Sequence, residues 1–252
     1  MAKQHYFQKR TIGQLECVEI QLDSDSIPTL LVVLCHGFGA SGSDLVSTAG
    51  ELLSRISHED RTRVRFLYPA APLILDEMDG YDSRAWWPID MMKLQMSMQT
   101  GTFRELRTED PPELPEAKRL LEQTVDQCLT ELGLDWQQCV IGGFSQGSML
   151  ATEIAFSRQL RPGGLVVWSG TVIREDAWTN DAKRPMPIPV VQSHGRQDMI
   201  LPFVGAQLLC QLLTSAKADV NFLPFSGQHE ISQAALDATA KMIQQLLDVK
   251  SK

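Results

Sequence analysis

Val140-Ile141-Gly142-Gly143-Phe144-Ser145-Gln146-Gly147-Ser148-Met149-Leu150 decides how this chain is to be read. Two β-branched residues run into two glycines, and an apolar, helix-like run follows from Met149 to Phe156. Gly143-Phe144-Ser145-Gln146-Gly147 fits G-x-S-x-G, the spacing of a serine raised on a sharp strand-to-helix turn. A serine on such a turn sits in a strained backbone conformation, and side chains two residues either way would collide. Gly143 and Gly147 remove them. The helix that follows also aims its free N–H groups and positive dipole end at the serine. The competing reading is a plain tight turn, so the chemistry needs a base, an acid and an oxyanion hole elsewhere in the chain.

Outward from this elbow, strand-like and helical stretches alternate. Leu15 to Leu22 alternates as a half-exposed strand, and Leu30 to Cys35 is a continuous apolar run, as expected of a strand covered on both faces. The loop His36 to Asp44 carries Gly37, Gly39 and Gly42, and a helix is expected from Ser43 to Ile56. Gly37 to Gly42 also fits G-x-G-x-x-G. A dinucleotide site needs an acidic residue about twenty positions on, near the end of a second strand. Asp60 instead stands in a charged loop before the strand Val64 to Tyr68. An oxyanion loop is the preferred reading, since acyl transfer needs one N–H donor after the nucleophile and one from the loop after an earlier strand. Gln146 supplies the first by position. Phe38, with glycines on either side, is the candidate for the second, and His36 is read as a structural histidine that bonds the loop.

The stretch 72–115 is irregular and rich in tryptophan and methionine, with Trp86-Trp87-Pro88 followed by Met91, Met92, Met96 and Met98. Asp90 as cap and Gly101 as stop favour a short helix there. This excursion packs over the sheet edge, partly covers an active site, or does both; methionine suits a soft cover over an acyl pocket. Trp87, Met91 and, further on, Leu201 are the candidate substrate contacts. Glu116 to Leu132 reads as an amphipathic helix stopped by Gly133. Strands follow the elbow at Gly164 to Ser169, Ile188 to Ser193 and Asp219 to Pro224, with helices at Leu201 to Ser215 and Ile231 to Val249. Thr171 to Pro187, with Trp178 inside it, reads as a loop. The alternation implies an α/β fold, a mostly parallel central sheet with helices on both faces.

Composition narrows the classes. A chain of 252 residues suits one α/β domain spanning 1–252, and 43% hydrophobic with 21% charged residues is ordinary for a globular protein. A net charge of −8 argues against a nucleic-acid or anionic-membrane partner, which needs a basic stripe. No apolar run reaches membrane-spanning length, and Met1 to Arg10 lacks the apolar core of a secretory signal. The five cysteines, scattered without C-x-x-C spacing, read as buried thiols of a reducing cytoplasm. The histidines show no H-x-x-x-H pairing, so no metal centre is expected.

The remaining groups fall on loops after strands, where open α/β sheets keep their sites. His194-Gly195-Arg196-Gln197-Asp198 follows one strand and Gly227-Gln228-His229-Glu230 follows the next. Ser145, Asp198, His229 is the chain order of an α/β-hydrolase. In that arrangement His229 takes the serine proton and returns it to the leaving group, while Asp198 holds the imidazole in the right tautomer. The rival account of Asp198 is a cap on the following helix. Asp176 and Asp181 are rival acids without a matching histidine. Glu230 reads as solvated or helix-capping.

Together L-C-H-G-F-G, G-G-F-S-Q-G, H-G-R-Q-D-M-I-L-P and S-G-Q-H-E resemble the phospholipase/carboxylesterase family of small serine hydrolases, which includes the acyl-protein thioesterases. The likeness spans roughly Leu30 to Leu247. It implies an α/β-hydrolase fold, hydrolysis of carboxylic esters or thioesters of small molecules, no cofactor and a cytoplasmic location. By motif position it puts the nucleophile on Ser145, the acid on Asp198, the base on His229 and the oxyanion donors on Phe38 and Gln146. The thioesterase branch usually reads H-G-L-G-D, where this chain has Phe38 and Ala40. Two other classes share these residues: an acyltransferase using the same groups, and a non-catalytic interaction protein, which would be expected to lose one of the three and here keeps all of them. A homodimer is left open.

Overall fold

The strand Leu30–Cys35 sits at the middle of the molecule because every residue in it is apolar and both of its faces are covered. Leu31, Val33 and Cys35 pack into one core, while Leu30, Val32 and Leu34 pack into the other. That split is the period-two alternation of a strand buried on both sides. The computed structural model describes residues 6–76, 82–90, 92, 96 and 107–249. In chain order its strands are β1 (Tyr6–Ile12), β2 (Leu15–Gln21), β3 (Leu30–Cys35), β4 (Val64–Pro69), β5 (Leu73–Asp76), β6 (Ser83–Ala85), β7 (Cys139–Phe144), β8 (Gly164–Trp168), β9 (Pro189–Gly195) and β10 (Asp219–Phe225). The helices are α1 (Thr48–Ser54), α2 (Leu114–Leu132), α3 (Gln146–Ser157), α4 (Glu175–Asp181), α5 (Phe203–Ser215) and α6 (Gln233–Val249).

Among the described residues the main sheet has eight strands in the order β1-β2-β4-β3-β7-β8-β9-β10. β1 and β2 enter antiparallel, and β4 onward the neighbours run parallel. From β3 the chain first steps outward to β4, then crosses back and continues from β7 to β10. The strand order therefore reverses between β3 and β7, the point where open α/β sheets bind their ligands. On one face α2, α3, α4 and α5 contribute Leu121, Val125, Leu150, Ile154, Phe156, Trp178, Leu209 and Leu213 to the core. On the other, α1 and α6 contribute Leu52, Leu53, Leu236, Ile243 and Leu247. This is the α/β-hydrolase architecture, mostly parallel with helices on both faces. No helix among the described residues is long and apolar enough to cross a membrane. Four of the five cysteines are buried, and Cys210 is half-buried. Burial pushes the Cys17 and Cys128 thiols up to about 12.

The observed elements differ from the sequence expectations in four places. The helix expected from Ser43 begins only at Thr48, because residues 43–47 form a succession of turns closed by i to i+3 bonds such as Val46 N–H to the Ser43 carbonyl. Thr171 to Pro187 is not all loop: α4 forms within it and its Trp178 is fully buried, donating Nε1–H to Glu153 Oε2 at 2.7 Å. β1 was not expected at all. β5 and β6 make a small antiparallel pair inside the 72–115 stretch. Most of the short helix expected after Asp90 lies outside the described residues; Met92 and Met96 are helical and exposed. Elsewhere boundaries agree to within a few residues, and Gly133 ends α2 in the left-handed conformation at φ 66°.

Candidate active site

Ser145 stands between β7 and α3 with φ 52° and ψ −120°, a region L residues rarely adopt. Holding it there costs roughly 1–3 kcal/mol, which the packing around it must offset. Gly143 and Gly147 explain how. A Cβ on either would drive deep into the Cys35 carbonyl, and one on Gly147 would strike the His36 carbonyl as well. The turn therefore closes only with bare backbone against the end of β3. Ser145 N–H donates to the Trp168 carbonyl at 2.9 Å, while the Ser145 hydroxyl does not cap its helix and is left for other use.

The neighbouring loops converge on this serine because β3, β7, β9 and β10 are parallel and end on the same side of the sheet. Asp198 is buried three residues beyond β9, and His229 lies four beyond β10. His229 Nδ1–H donates to Asp198 Oδ2 at 2.7 Å. The other carboxylate oxygen accepts the backbone N–H of Ile200 at 2.9 Å and of Leu201 at 2.8 Å. Asp198 thus closes a turn within its own loop rather than capping α5, whose N-cap is Pro202. Burial alone would push the Asp198 carboxyl up. The hydrogen bonds from His194 and His229, the charge of His229 and the Leu201 N–H outweigh it, and the group is held well below the usual carboxylate range. The Phe144 ring packs on His229 with centroids 4.7 Å apart, fixing the imidazole from the side of β7.

A pocket of about 250 Å³ opens here, lined by Phe38, Ser145, Gln146 and His229. Its wall is largely apolar, with Trp87, Ile89, Phe144, Met149, Ile173, Ile200 and Leu201, and it also takes in Gly37, Ala40, Asp44, Glu109 and Pro111. Ser145 and His229 share this pocket without a hydrogen bond between them; such bonds are often long before substrate tightens them. Neither the Phe38 nor the Gln146 backbone N–H is taken by another acceptor among the described residues. The Gln146 side chain has a task that its position in the sequence does not reveal. Its Oε1 accepts the Trp86 N–H at 2.9 Å and its Nε2 donates to the Trp87 carbonyl at 2.8 Å, which clips the tryptophan pair to the start of α3.

His36 is structural, as expected. Its Nε2 accepts the Ala71 N–H at 3.0 Å, so Nδ1 carries the hydrogen and donates to the Gly37 carbonyl at 2.8 Å. Of the expected substrate contacts, Trp87 and Leu201 line the pocket, and Met91 lies outside the described residues. Ile89, Met149, Ile173 and Ile200 line it too, without having been singled out. Met149 and Ile200 could have been found from their places beside the elbow and Leu201. Ile173 carries no local signal.

A strained serine at a sheet's reversal point, with a carboxylate-bound histidine in the same pocket, defines a hydrolase of the α/β type. The chain belongs to the phospholipase/carboxylesterase family, whose model matches residues 15–247. At that level it is a hydrolase of carboxylic ester bonds. It is 24% identical over 220 residues to acyl-protein thioesterase 1 homolog 1 of Dictyostelium discoideum, covering 86% of this chain and 90% of that one. It is 28% identical over 222 residues to acyl-protein thioesterase 1 of Eremothecium gossypii, covering 86% and 88%. Among solved structures, esterase PE8 superposes with a TM-score of 0.70 at 20% identity, covering 96% of this chain and 99% of that one. The Bacillus cereus carboxylesterase does so with 0.63 at 19%, covering 92% and 94%. These two likenesses speak to the fold.

Proposed function

We propose that this chain is a serine esterase that cleaves short- to medium-chain carboxylic esters or thioesters through an acyl-enzyme on Ser145. His229 Nε2 takes the proton as Ser145 Oγ attacks the acyl carbon, and Asp198 holds the opposite ring nitrogen and the charge that develops on the imidazole. The tetrahedral oxyanion is received by the N–H groups of Phe38 and Gln146 at the positive end of α3. Collapse expels the alcohol or thiol, which leaves with the proton from His229. Water, activated by the same histidine, then frees the acid. The observation that carries this reading is the 2.7 Å His229–Asp198 hydrogen bond on the wall of the pocket that holds Ser145.

The names of the thioesterase relatives support including thioesters. The reading extends to the whole chain acting as a single cytoplasmic domain on small-molecule acyl substrates, with the 72–115 stretch as partial cover. A fluorophosphonate probe should label the protein once, at Ser145, and should fail to label Ser145→Ala, which loses most turnover on p-nitrophenyl esters. A stoichiometric adduct on any other residue would refute the mechanism. Ester and thioester panels of graded acyl length then define the preferred substrate.

A further inference from the structure

Asp198 faces a second histidine. His194, near the end of β9, is fully buried, and its Nε2 lies 3.2 Å from the same Oδ2 that receives His229. Nε2 is also 2.8 Å from the Leu201 carbonyl, which can only accept. Nε2 therefore carries a hydrogen, bonded to that carbonyl with the carboxylate oxygen close beside it. The other ring nitrogen, Nδ1, is buried and has no hydrogen-bond partner. A core position left with an unpaired ring nitrogen is one that an apolar side chain would fill at less cost. Packing alone therefore does not account for an imidazole here; an N–H set between the Leu201 carbonyl at 2.8 Å and Asp198 Oδ2 at 3.2 Å does.

We propose that His194 is a positioning residue that acts through Asp198, its Nε2–H drawing off part of the carboxylate charge that would otherwise bear on His229. The proposal rests on the Ser145–His229–Asp198 assignment above. The charged groups around it are few. On its own loop, the Arg196 guanidinium lies 5.1 Å over the Phe203 ring, and that ring in turn stands 6.2 Å from His194. From the loop after β10 come His229 and Glu230, and Glu230 Oε1 accepts the Gln228 N–H. α5 and β10 reach this corner through the stacked rings of Phe203 and Phe222.

The test is the pH dependence of kcat/KM, between about pH 5 and 8, for the wild type, His194→Leu and His194→Gln, with thermal midpoints alongside. In His194→Leu the carboxylate charge is no longer divided, so it holds the His229 imidazolium more strongly and the acid limb moves to higher pH. In His194→Gln the amide N–H reaches toward the same oxygen, and the limb returns to its wild-type position. A purely structural role lowers the active fraction and leaves the limb where it was. An unmoved limb, or one displaced downward, in folded His194→Leu overturns the proposal. Should that variant fail to fold, ¹⁵N-histidine spectra of the wild type decide: His194 is expected as the Nε2–H tautomer, and the Nδ1–H form overturns it. Full turnover in Ser145→Ala would sink the serine mechanism itself. An inactive Ser145→Ala beside an unmoved limb sinks only the role of His194.

Discussion

The elbow and the tryptophan pair beside it, Trp86 and Trp87, are held by opposite means. At the elbow, main chain rests on main chain: Gly143 and Gly147 lie against the Cys35 carbonyl, and Ser145 N–H reaches the Trp168 carbonyl. At the pair, the main chain is instead tied down by a side chain from elsewhere, although the Arg84 backbone just before it bonds that of Gly39 and Ala40. Gln146 grips Trp86 and Trp87, and the Trp86 indole donates to the His36 carbonyl at 3.0 Å. Arg84 ion-pairs with Glu16 and Asp82, and Arg174 pairs with Asp110 from the start of α4. Backbone contact dictates residue type, whereas a side-chain clip can be made in many ways. The proposed chemistry therefore sits on the part of the molecule that cannot give, and the shape of the pocket depends on the part that can.

Substitutions probe that contrast from both sides. The largest effect belongs to Asp198→Asn, which keeps the size of the side chain but favours the wrong His229 tautomer. Turnover should fall by about 10⁴-fold with the fold intact, as steady-state kinetics and circular dichroism would record. Gly147→Ala comes next. Its methyl group has only the Cys35 and His36 carbonyls to meet, so about 4 kcal/mol of stability should be lost in urea unfolding. A well-tolerated alanine there would mean that the elbow is softer than its geometry. Gln146→Ala strikes the tryptophan pair instead: it strands the buried Trp86 N–H and Trp87 carbonyl and should cost about 2–3 kcal/mol. Its kinetic mark should be a raised KM, because the Trp87 wall loosens while Ser145 and His229 stay in place. If kcat fell and KM did not, the two regions would not be separable in this way.

The same contrast explains what could be read from the sequence. Gly143, Ser145 and Gly147 were legible because a strained turn against a neighbouring strand admits few residues. Asp198 and His229 were legible because parallel strands deliver their loops to one edge, so a Ser, Asp, His order carries spatial meaning. The clip made by Gln146 was not, since its partners lie about sixty residues away and any extended backbone could have supplied them. α4 was missed because seven residues starting Glu-Asp give little periodicity; it forms around Trp178, whose indole finds Glu153 on α3. β5 and β6, four and three residues long, fall below the length at which alternation can be recognised. His194 was in plain view within H-G-R-Q-D, yet its motif was read only for the acid it ends on.

His36 joins the two regions and offers the smallest test. It ends the β3 side of the elbow, while its Nε2 takes the Ala71 N–H and its carbonyl takes the Trp86 indole. Burial holds its pKa below the ordinary histidine value. The Gly37 carbonyl, Asp44 and Asp82 pull the other way without reversing this, and Arg84 adds to the lowering. The sign follows from proton binding. Above about pH 6.5 both the folded and the unfolded chain carry His36 neutral, and its bonds contribute in full. As the pH falls below that value the unfolded chain takes up a proton that the folded protein refuses, and stability declines until the pH passes the folded value. His36→Gln does not titrate. Its thermal midpoint should be lower than that of the wild type at about pH 7.5, yet it should drop less between there and about pH 5. Equal drops in the two proteins would show that protonation of His36 does not loosen the joint between the elbow and the tryptophan pair.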